Sequence, residues 1–152
     1  MNKNYVTKKG HQQMLSTLNH MIDVELREAI EMIKDAKDKG DVSENAEYES
    51  AKAYHENLSI KISNLEMKVR NSEIIVPIKN GKVNMLSNIQ IKNQNDQILD
   101  WTLVPENEID IKNGKISFNS PVGVALLGRN LGEKVDIKIP AGQIQLEILR
   151  ID

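Results

Sequence analysis

Two carboxylates three residues apart, Asp41 and Glu44, stand in the segment Lys37-Asp38-Lys39-Gly40-Asp41-Val42-Ser43-Glu44-Asn45-Ala46-Glu47-Tyr48. Two exposed carboxylates can hold a hard cation such as Mg²⁺, which takes only one or two protein carboxylates and leaves the rest of its octahedron to water and phosphate. Alone, such a half-site does little. Offered to an enzyme that already holds one metal on a phosphodiester, it would complete a two-metal hydrolytic site. The same spacing also has a structural use. An acid at a helix start with Glu three residues later resembles a capping box, and carboxylates favour a helix N-terminus. Spacing by itself leaves both uses open, with capping ahead.

Other chemistry is thin. His11, His20 and His55 are scattered. His20 and His55 could approach across a folded helix pair, but two histidines without a carboxylate set make a weak metal site, and surface positions are the expectation. No phosphate-binding glycine loop and no serine nucleophile elbow is present.

The elements around the acid pair are legible in the spacing of apolar residues. Residues 11–75 contain no proline and one glycine, Gly40. Leu15, Leu18, Ile22, Leu26, Ala29, Ile33 and Ala36 follow one another at steps of three or four, so they share one helix face. Beyond Gly40 a second stripe runs Ala51, Tyr54, Leu58, Ile62, Leu65, Val69 and Ser72. Paired from the outside in, the residue numbers of the two stripes keep a constant total, except for Leu26 with Ile62, which is off by one. A constant total is what two antiparallel helices folded about one turn require. The expectation is a coiled-coil hairpin of helices 12–39 and 45–73. Gly40 would end the first helix in a left-handed conformation, and Asp41 or Ser43 would start the second. The outer faces are charged, so the arm either reaches into something or acts as a solvated spacer or dimerisation element. Shape alone does not choose.

Composition bounds the rest. Of 152 residues, 39% are hydrophobic and 28% charged, an ordinary water-soluble balance. The aromatic residues are Trp101, Phe118, Tyr5, Tyr48 and Tyr54, so any core is mainly aliphatic. Absence of cysteine removes disulfides and thiolate metal sites and fits a reducing cytosol. No apolar run approaches the roughly 20 residues of a membrane span, and Met1-Asn2-Lys3-Asn4-Tyr5 has no apolar core like that of a signal peptide. The expectations are a cytoplasmic protein and no membrane partner. A net charge of −2 excludes a general polycationic nucleic-acid binder, so any RNA contact is local or arranged by a partner.

From Pro77 onward, prolines and glycines recur and the pattern becomes alternating. This divides the chain into residues 1–76, the hairpin, and 77–152, a small sheet domain, with the boundary near Val76–Gly81. Strands are expected at Ile89-Gln90-Ile91, from Ile98 to Val104 and from Ile109 to Phe118. Val135, Ile137 and Ile139 alternate with polar residues, as do Ile144, Leu146 and Ile148, and Pro140-Ala141-Gly142 turns between them. Pairing 139 with 144, 137 with 146 and 135 with 148 makes one face apolar. Ser120 to Gly128 reads as a short helix with Ser120 as N-cap, Pro121 first and Gly128 as the stop. The fold class is α+β.

The tip segment Gly40-Asp41-Val42-Ser43-Glu44-Asn45-Ala46-Glu47-Tyr48, followed by Ala51-Lys52, resembles the G-D-[LV]-[SK]-E-N-A-E-Y signature of the GreA/GreB transcript-cleavage factors. Val6-Thr7-Lys8-Lys9-Gly10 looks like that family's L-T-x-E-G opening. Ile116 to Pro121 and Ala125 to Gly128 resemble its I-S-x-x-S-P…A-L-x-G segment, and Pro140-Ala141-Gly142 resembles its P-G-G turn. The resemblance covers nearly the whole chain. It implies an FKBP-like antiparallel sheet domain with a short helix that docks at the rim of the secondary channel of bacterial RNA polymerase, while the hairpin enters that channel. It implies that Asp41 and Glu44 help hold a Mg²⁺ jointly with polymerase, none being bound stably by the factor alone, and that polymerase then cuts the extruded 3′ end of backtracked nascent RNA. The protein would be no enzyme itself and would act as a monomer. Lys37 and Lys52 match positions that guide RNA; Gly40, Ser43, Asn45 and Tyr48 would support the tip. The chain departs from the pattern at Lys39, often His, at Gly123-Val124, more usually Ala-Arg, and loosely across Val83 to Val104. Alternatives are a family member that occupies the channel and inhibits without cleavage, a prolyl isomerase suggested by the FKBP-like half, and a chaperone-like hairpin.

Overall fold

The computed structural model describes residues 3–40 and 45–152. The chain divides into two compact units, one built on residues 9–73 with the run before Tyr5, the other on residues 5–8 and 74–152. The α+β class expected from the sequence is the one formed: a long helical hairpin and a sheet domain carrying a short helix.

In the first unit, α1 (Lys8–His20), a π-helical segment (Met21–Glu25) and α2 (Leu26–Asp38) follow without a break, and α3 (Ala46–Arg70) returns against them. At 1.5 Å per residue the 25 residues of α3 span about 37 Å. The first helix starts at Lys8, earlier than residue 12, because its opening turn carries no large apolar side chain to mark it. The second stops at Arg70 rather than 73: Asn71 is its C-cap, and Ser72–Ile74 is extended as β2 beside β1 (Asn4–Val6). Ser72, the last member of the sequence stripe, turns its hydroxyl back onto the Val69 carbonyl at 2.6 Å.

The seam differs from the stripe in one instructive way. Leu18, Ala29, Leu58 and Ile62 form its buried cluster, with Met21, Leu26, Leu65 and Val69 packed on it. Leu15 and Ile22, assigned to the seam by spacing, are each 37% exposed. A π turn holds one more residue than an α turn, so the step across Met21–Glu25 is five, from Met21 to Leu26. Upstream of it Leu18 stays inward, Leu15 turns out, and Met21 packs where Ile22 was expected. Leu26, where the constant total failed, is the first residue after the segment.

The second unit is a five-stranded sheet ordered β5-β4-β3-β7-β6, from β3 (Asn88–Asn93), β4 (Ile98–Val104), β5 (Lys115–Ser117), β6 (Lys134–Ile139) and β7 (Gly142–Ile151). Alternation places Ile89, Ile91, Leu103, Val135, Ile137, Leu146 and Ile148 in one core, covered by α4 (Pro121–Leu126) through Leu126. Tyr5 packs edge-on against Phe118, with ring centroids 5.8 Å apart. Three pairings are antiparallel and one is not: β5 runs parallel to β4. The strand expected from Ile109 to Phe118 is therefore reduced to Lys115–Ser117. Its earlier part holds a 3₁₀ turn, Ile111–Asn113, which together with the 3₁₀ turn Glu106–Glu108 before it carries the chain back beside the second half of β4. Gly114 ends this crossover at φ +72°, where an added Cβ would meet the Asp100 carbonyl.

The closing hairpin forms, but in another register. Ile137 faces Ile144, Val135 faces Leu146 and Ile139 faces Gly142, two residues away from the expected pairing. Side chains alternate with period two, so a slip of two leaves the same residues inward. The turn decides: only Pro140 and Ala141 lie outside the ladder, and Gly142, at φ +136°, already begins β7.

Ser120 caps α4 by accepting from the Gly123 amide at 3.1 Å, with Pro121 in the first turn, as the sequence suggested. Ser120→Ala is expected to cost about 1 kcal/mol, read as a lower urea midpoint with unchanged slope. After the helix, Glu133 accepts from the Asn130 amide at 3.0 Å and the Asn130 side chain at 2.8 Å. These bonds, aided by Arg129, hold its carboxyl below the usual carboxylate range. A lowered folded-state pKa stabilises above the unfolded value and ceases to do so as pH falls through the folded one, so this turn loosens only in acid. Among the described residues no helix is long and apolar enough to cross a membrane.

Candidate functional site

The hairpin tip is built from the end of α2 and the start of α3. Lys39 closes α2 as its C-cap, its amide donating to the Ala36 carbonyl at 3.3 Å. Gly40 follows at φ +155°, a positive value outside the compact left-handed well and open essentially to glycine alone. Asp41, Val42, Ser43 and Glu44, and with them the predicted catalytic and metal-holding pair, lie outside the described residues.

The residues that follow settle what starts α3. Its N-cap is Asn45, whose Oδ1 accepts from the Tyr48 amide at 3.2 Å. The expected start at Asp41 or Ser43 gives way to Asn45 as the N-cap of α3, and the capping-box reading of Asp41 with Glu44 falls on residues outside those described. The physical reason is local. Asparagine is as good a cap as aspartate or serine, and Asn45 is immediately followed by Ala46-Glu47, a good helix former and an acid in the first turn, where the helix dipole favours it. That signal is present in the sequence, one residue after the acid pair.

Further contacts cross the tip. The Asn45 Nδ2 donates to the Ala36 carbonyl at 2.6 Å. The Lys37 Nζ sits 5.8 Å from the centre of the Tyr48 ring, a cation–π arrangement. Lys39 pairs with Glu47 at 3.3 Å, both well exposed, so the pair contributes little beyond local order. Of the sequence-predicted residues, Lys37, Asn45 and Tyr48 are thus brought together, while Lys52 lies exposed one helical turn beyond Tyr48 on α3. Lys37 is therefore not simply a solvated charge: its ammonium faces an aromatic ring. Lys39 stands out in the sequence only as a departure from the family pattern; its pairing with Glu47 leaves no signal there, since an ion pair eight residues apart across a turn has no periodic signature.

Beside these contacts a groove of about 590 Å³ opens between the helices, lined by Met32, Ala36, Ala46, Ala51 and Tyr54 among others. Tyr54, assigned to the seam by spacing, is 43% exposed here. Among the described residues no three histidine or acidic side chains cluster to hold a metal, so His20 and His55 belong to no such group.

In the second unit Phe118 is 4% exposed and belongs to the core. Trp101 borders a depression of about 300 Å³ whose other walls include Asn88, Asp100, Thr102, Asn113 and Arg150. That is a polar site, unlike the aromatic-lined pocket a prolyl isomerase would need.

Comparison with known proteins gives two family matches. Residues 4–74 match the model described as "Transcription elongation factor, N-terminal", and residues 78–152 match "Transcription elongation factor, GreA/GreB, C-term". The chain is 41% identical over 152 residues to transcription elongation factor GreA of Prosthecochloris aestuarii, covering 97% of this chain and 95% of that protein. It is 43% identical over 150 residues to GreA of Flavobacterium johnsoniae, with the same coverage. Among solved structures, GreA factor homolog 1 (Gfh1) of Thermus thermophilus aligns with a TM-score of 0.46 at 21% identity, covering 99% of each chain.

Proposed function

Because the chain belongs to the GreA/GreB family of transcription elongation factors, we propose that it is an elongation factor that enters the secondary channel of bacterial RNA polymerase and stimulates cleavage of backtracked RNA. The observation that carries this is the unaltered acid pair in a nine-residue signature at the tip of a helical hairpin, in a chain that matches named elongation factors over nearly its whole length. The reading in which a family member occupies the channel without cleavage is not favoured, since the matched relatives are named elongation factors.

The protein is not the enzyme in this scheme; it lends side chains to polymerase. Asp41 and Glu44 are the residues that would hold a Mg²⁺ together with polymerase groups. The donor chemistry fits: both are carboxylates, the oxygen donors Mg²⁺ takes, and few protein ligands suffice for it. The described residues also fit, because Asn45 caps α3 and neither acid is needed for that task. When bound, the ion would supply charge stabilisation and an activated water at the scissile phosphodiester. The chain's own contribution is to carry two negative charges to the end of a stiff arm and present them at a fixed place.

Lys37 and Lys52 would draw the extruded 3′ end of the nascent RNA toward the tip by non-specific phosphate attraction. Lys52→Ala should weaken cleavage several-fold at sub-saturating factor and reduce the salt slope by about one unit, measured as rate against potassium chloride concentration.

The deciding experiment uses a stalled, backtracked elongation complex with the cognate polymerase. Mg²⁺-dependent shortening of the labelled transcript on adding the protein supports the reading. No shortening, with binding to polymerase confirmed, would move the protein to the channel-occupying class.

A further inference from the structure

The Asn45 side chain works at both ends. Its Oδ1 accepts from the Tyr48 amide at 3.2 Å and its Nδ2 donates to the Ala36 carbonyl at 2.6 Å. One orientation of the amide alone satisfies both partners, since a carbonyl can only accept and an N–H can only donate. The oxygen end is ordinary capping, which aspartate or serine would perform as well. The nitrogen end is not capping. It reaches to α2 and takes a carbonyl from the last four of that helix, the group a helix leaves without full partners. Ala36 is 3% exposed, so the bond forms at the wall of the seam, where competing water is scarce.

The two bonds together join the last turn of α2 to the first turn of α3, and the only residues between the joined ends are the tip itself, including Asp41 and Glu44. Resting on the cleavage reading above, we infer that Asn45 is a positioning residue: its side-chain amide fixes the spacing of the helix ends between which the acid pair is presented. The Lys37–Tyr48 contact closes the same span from the outer side, yet it is a single soft contact at 5.8 Å, whereas the Asn45 bonds are directional. Asparagine supplies a cap oxygen and a donor on two separate atoms of a short stem. Glutamine has the same amide one methylene too far out, aspartate has no donor, and serine must serve both partners from one hydroxyl a bond closer to the backbone.

The test separates the donor end from the cap. Asn45→Ser and Asn45→Asp both keep an oxygen for the Tyr48 amide; aspartate removes the donor to Ala36 outright and adds charge, while serine leaves only a shorter hydroxyl that cannot stand where both amide atoms stand. Each is expected to unfold within about 2 °C of wild type and to reach half-maximal effect on backtracked complexes at the wild-type factor concentration. The cleavage rate at saturating factor should fall about tenfold or more, since a small misplacement of reacting groups can cost about 100-fold, and the Mg²⁺ concentration for half-maximal rate should rise. In the free wild-type protein, NMR should detect coupling through the hydrogen bond from the Asn45 side-chain nitrogen to the Ala36 carbonyl carbon. Wild-type cleavage at saturation by Asn45→Asp overturns the inference, as does a loss confined to the half-maximal concentration, or absence of that coupling. A wild-type protein that binds but never cleaves sinks the cleavage reading and this role with it, a pattern distinct from active wild type with active variants.

Discussion

Asp41→Ala or Glu44→Ala is expected to lower transcript shortening in a backtracked complex by about 100-fold to 1000-fold, the usual cost of removing one preorganised electrostatic contact to a reacting centre. Binding to polymerase and the unfolding temperature should stay near wild type. The second half of that expectation comes from the tip. Since Asn45 and not an acid caps α3, deleting either carboxylate leaves the helix start intact. Were the acids structural, each alanine would cost about 1 kcal/mol of stability, and binding would decline in step with cleavage. Asp41→Asn sharpens the contrast, because it preserves size and hydrogen bonding while removing the charge a hard cation requires. Equal declines in binding, stability and cleavage would refute the proposed division of labour.

The second large effect belongs to the sheet domain. Gly123→Ala is expected to destabilise it. A Cβ on Gly123 would meet the Ser117 carbonyl oxygen and lie 2.8 Å from the Phe118 Cα. Both are backbone atoms, so neither can swing aside as the end of a long side chain would. Overpacking of this kind costs about 1–3 kcal/mol, against at most about 1 kcal/mol gained from better helix propensity. The clash prevails, because α4 is only six residues long and is held to the core by Leu126. The measurement is hydrogen exchange with mass spectrometry: peptides from β3, β6 and β7 should lose protection, while α3 peptides keep theirs. Unchanged or improved protection would mean that α4 can lift off the 117–118 backbone without cost.

Much of the architecture was written in periodicity. The hairpin helices, β3, β4, β6, β7 and the short capped helix followed from apolar spacing and turn residues, because burial on one face is the strongest constraint a sequence carries. What escaped were features to which burial is indifferent. The β6–β7 register slipped by two because Val135, Ile137, Leu146 and Ile148 stay inward either way. The strand expected from Ile109 to Phe118 dissolved into 3₁₀ turns because alternation does not reveal whether a ladder partner exists. Ile22 was placed inward because a π turn leaves no mark in composition. At the tip, the acid pair stood out by charge, while the Asn45 bridge, a contact made by one small amide to two backbone groups, had no repeat to betray it. Gly123 is a further case: its departure from the family pattern was visible in the sequence, but the close approach of two backbones at that position was not.

The π segment at Met21–Glu25 gives the arm two phases of numbering. An α-helix turns through about 100° per residue, and the wide turn absorbs one extra residue, so the numbering of the seam shifts across it while the seam itself runs on. Deleting a single residue inside the segment would shorten the step from Met21 to Leu26 to four, restore unbroken α-helix and leave Met21, not Ile22, on the seam. The helix faces on both sides would keep their orientation. One codon at that point is therefore an allowance: the arm can carry it or lose it without changing which side chains face inward.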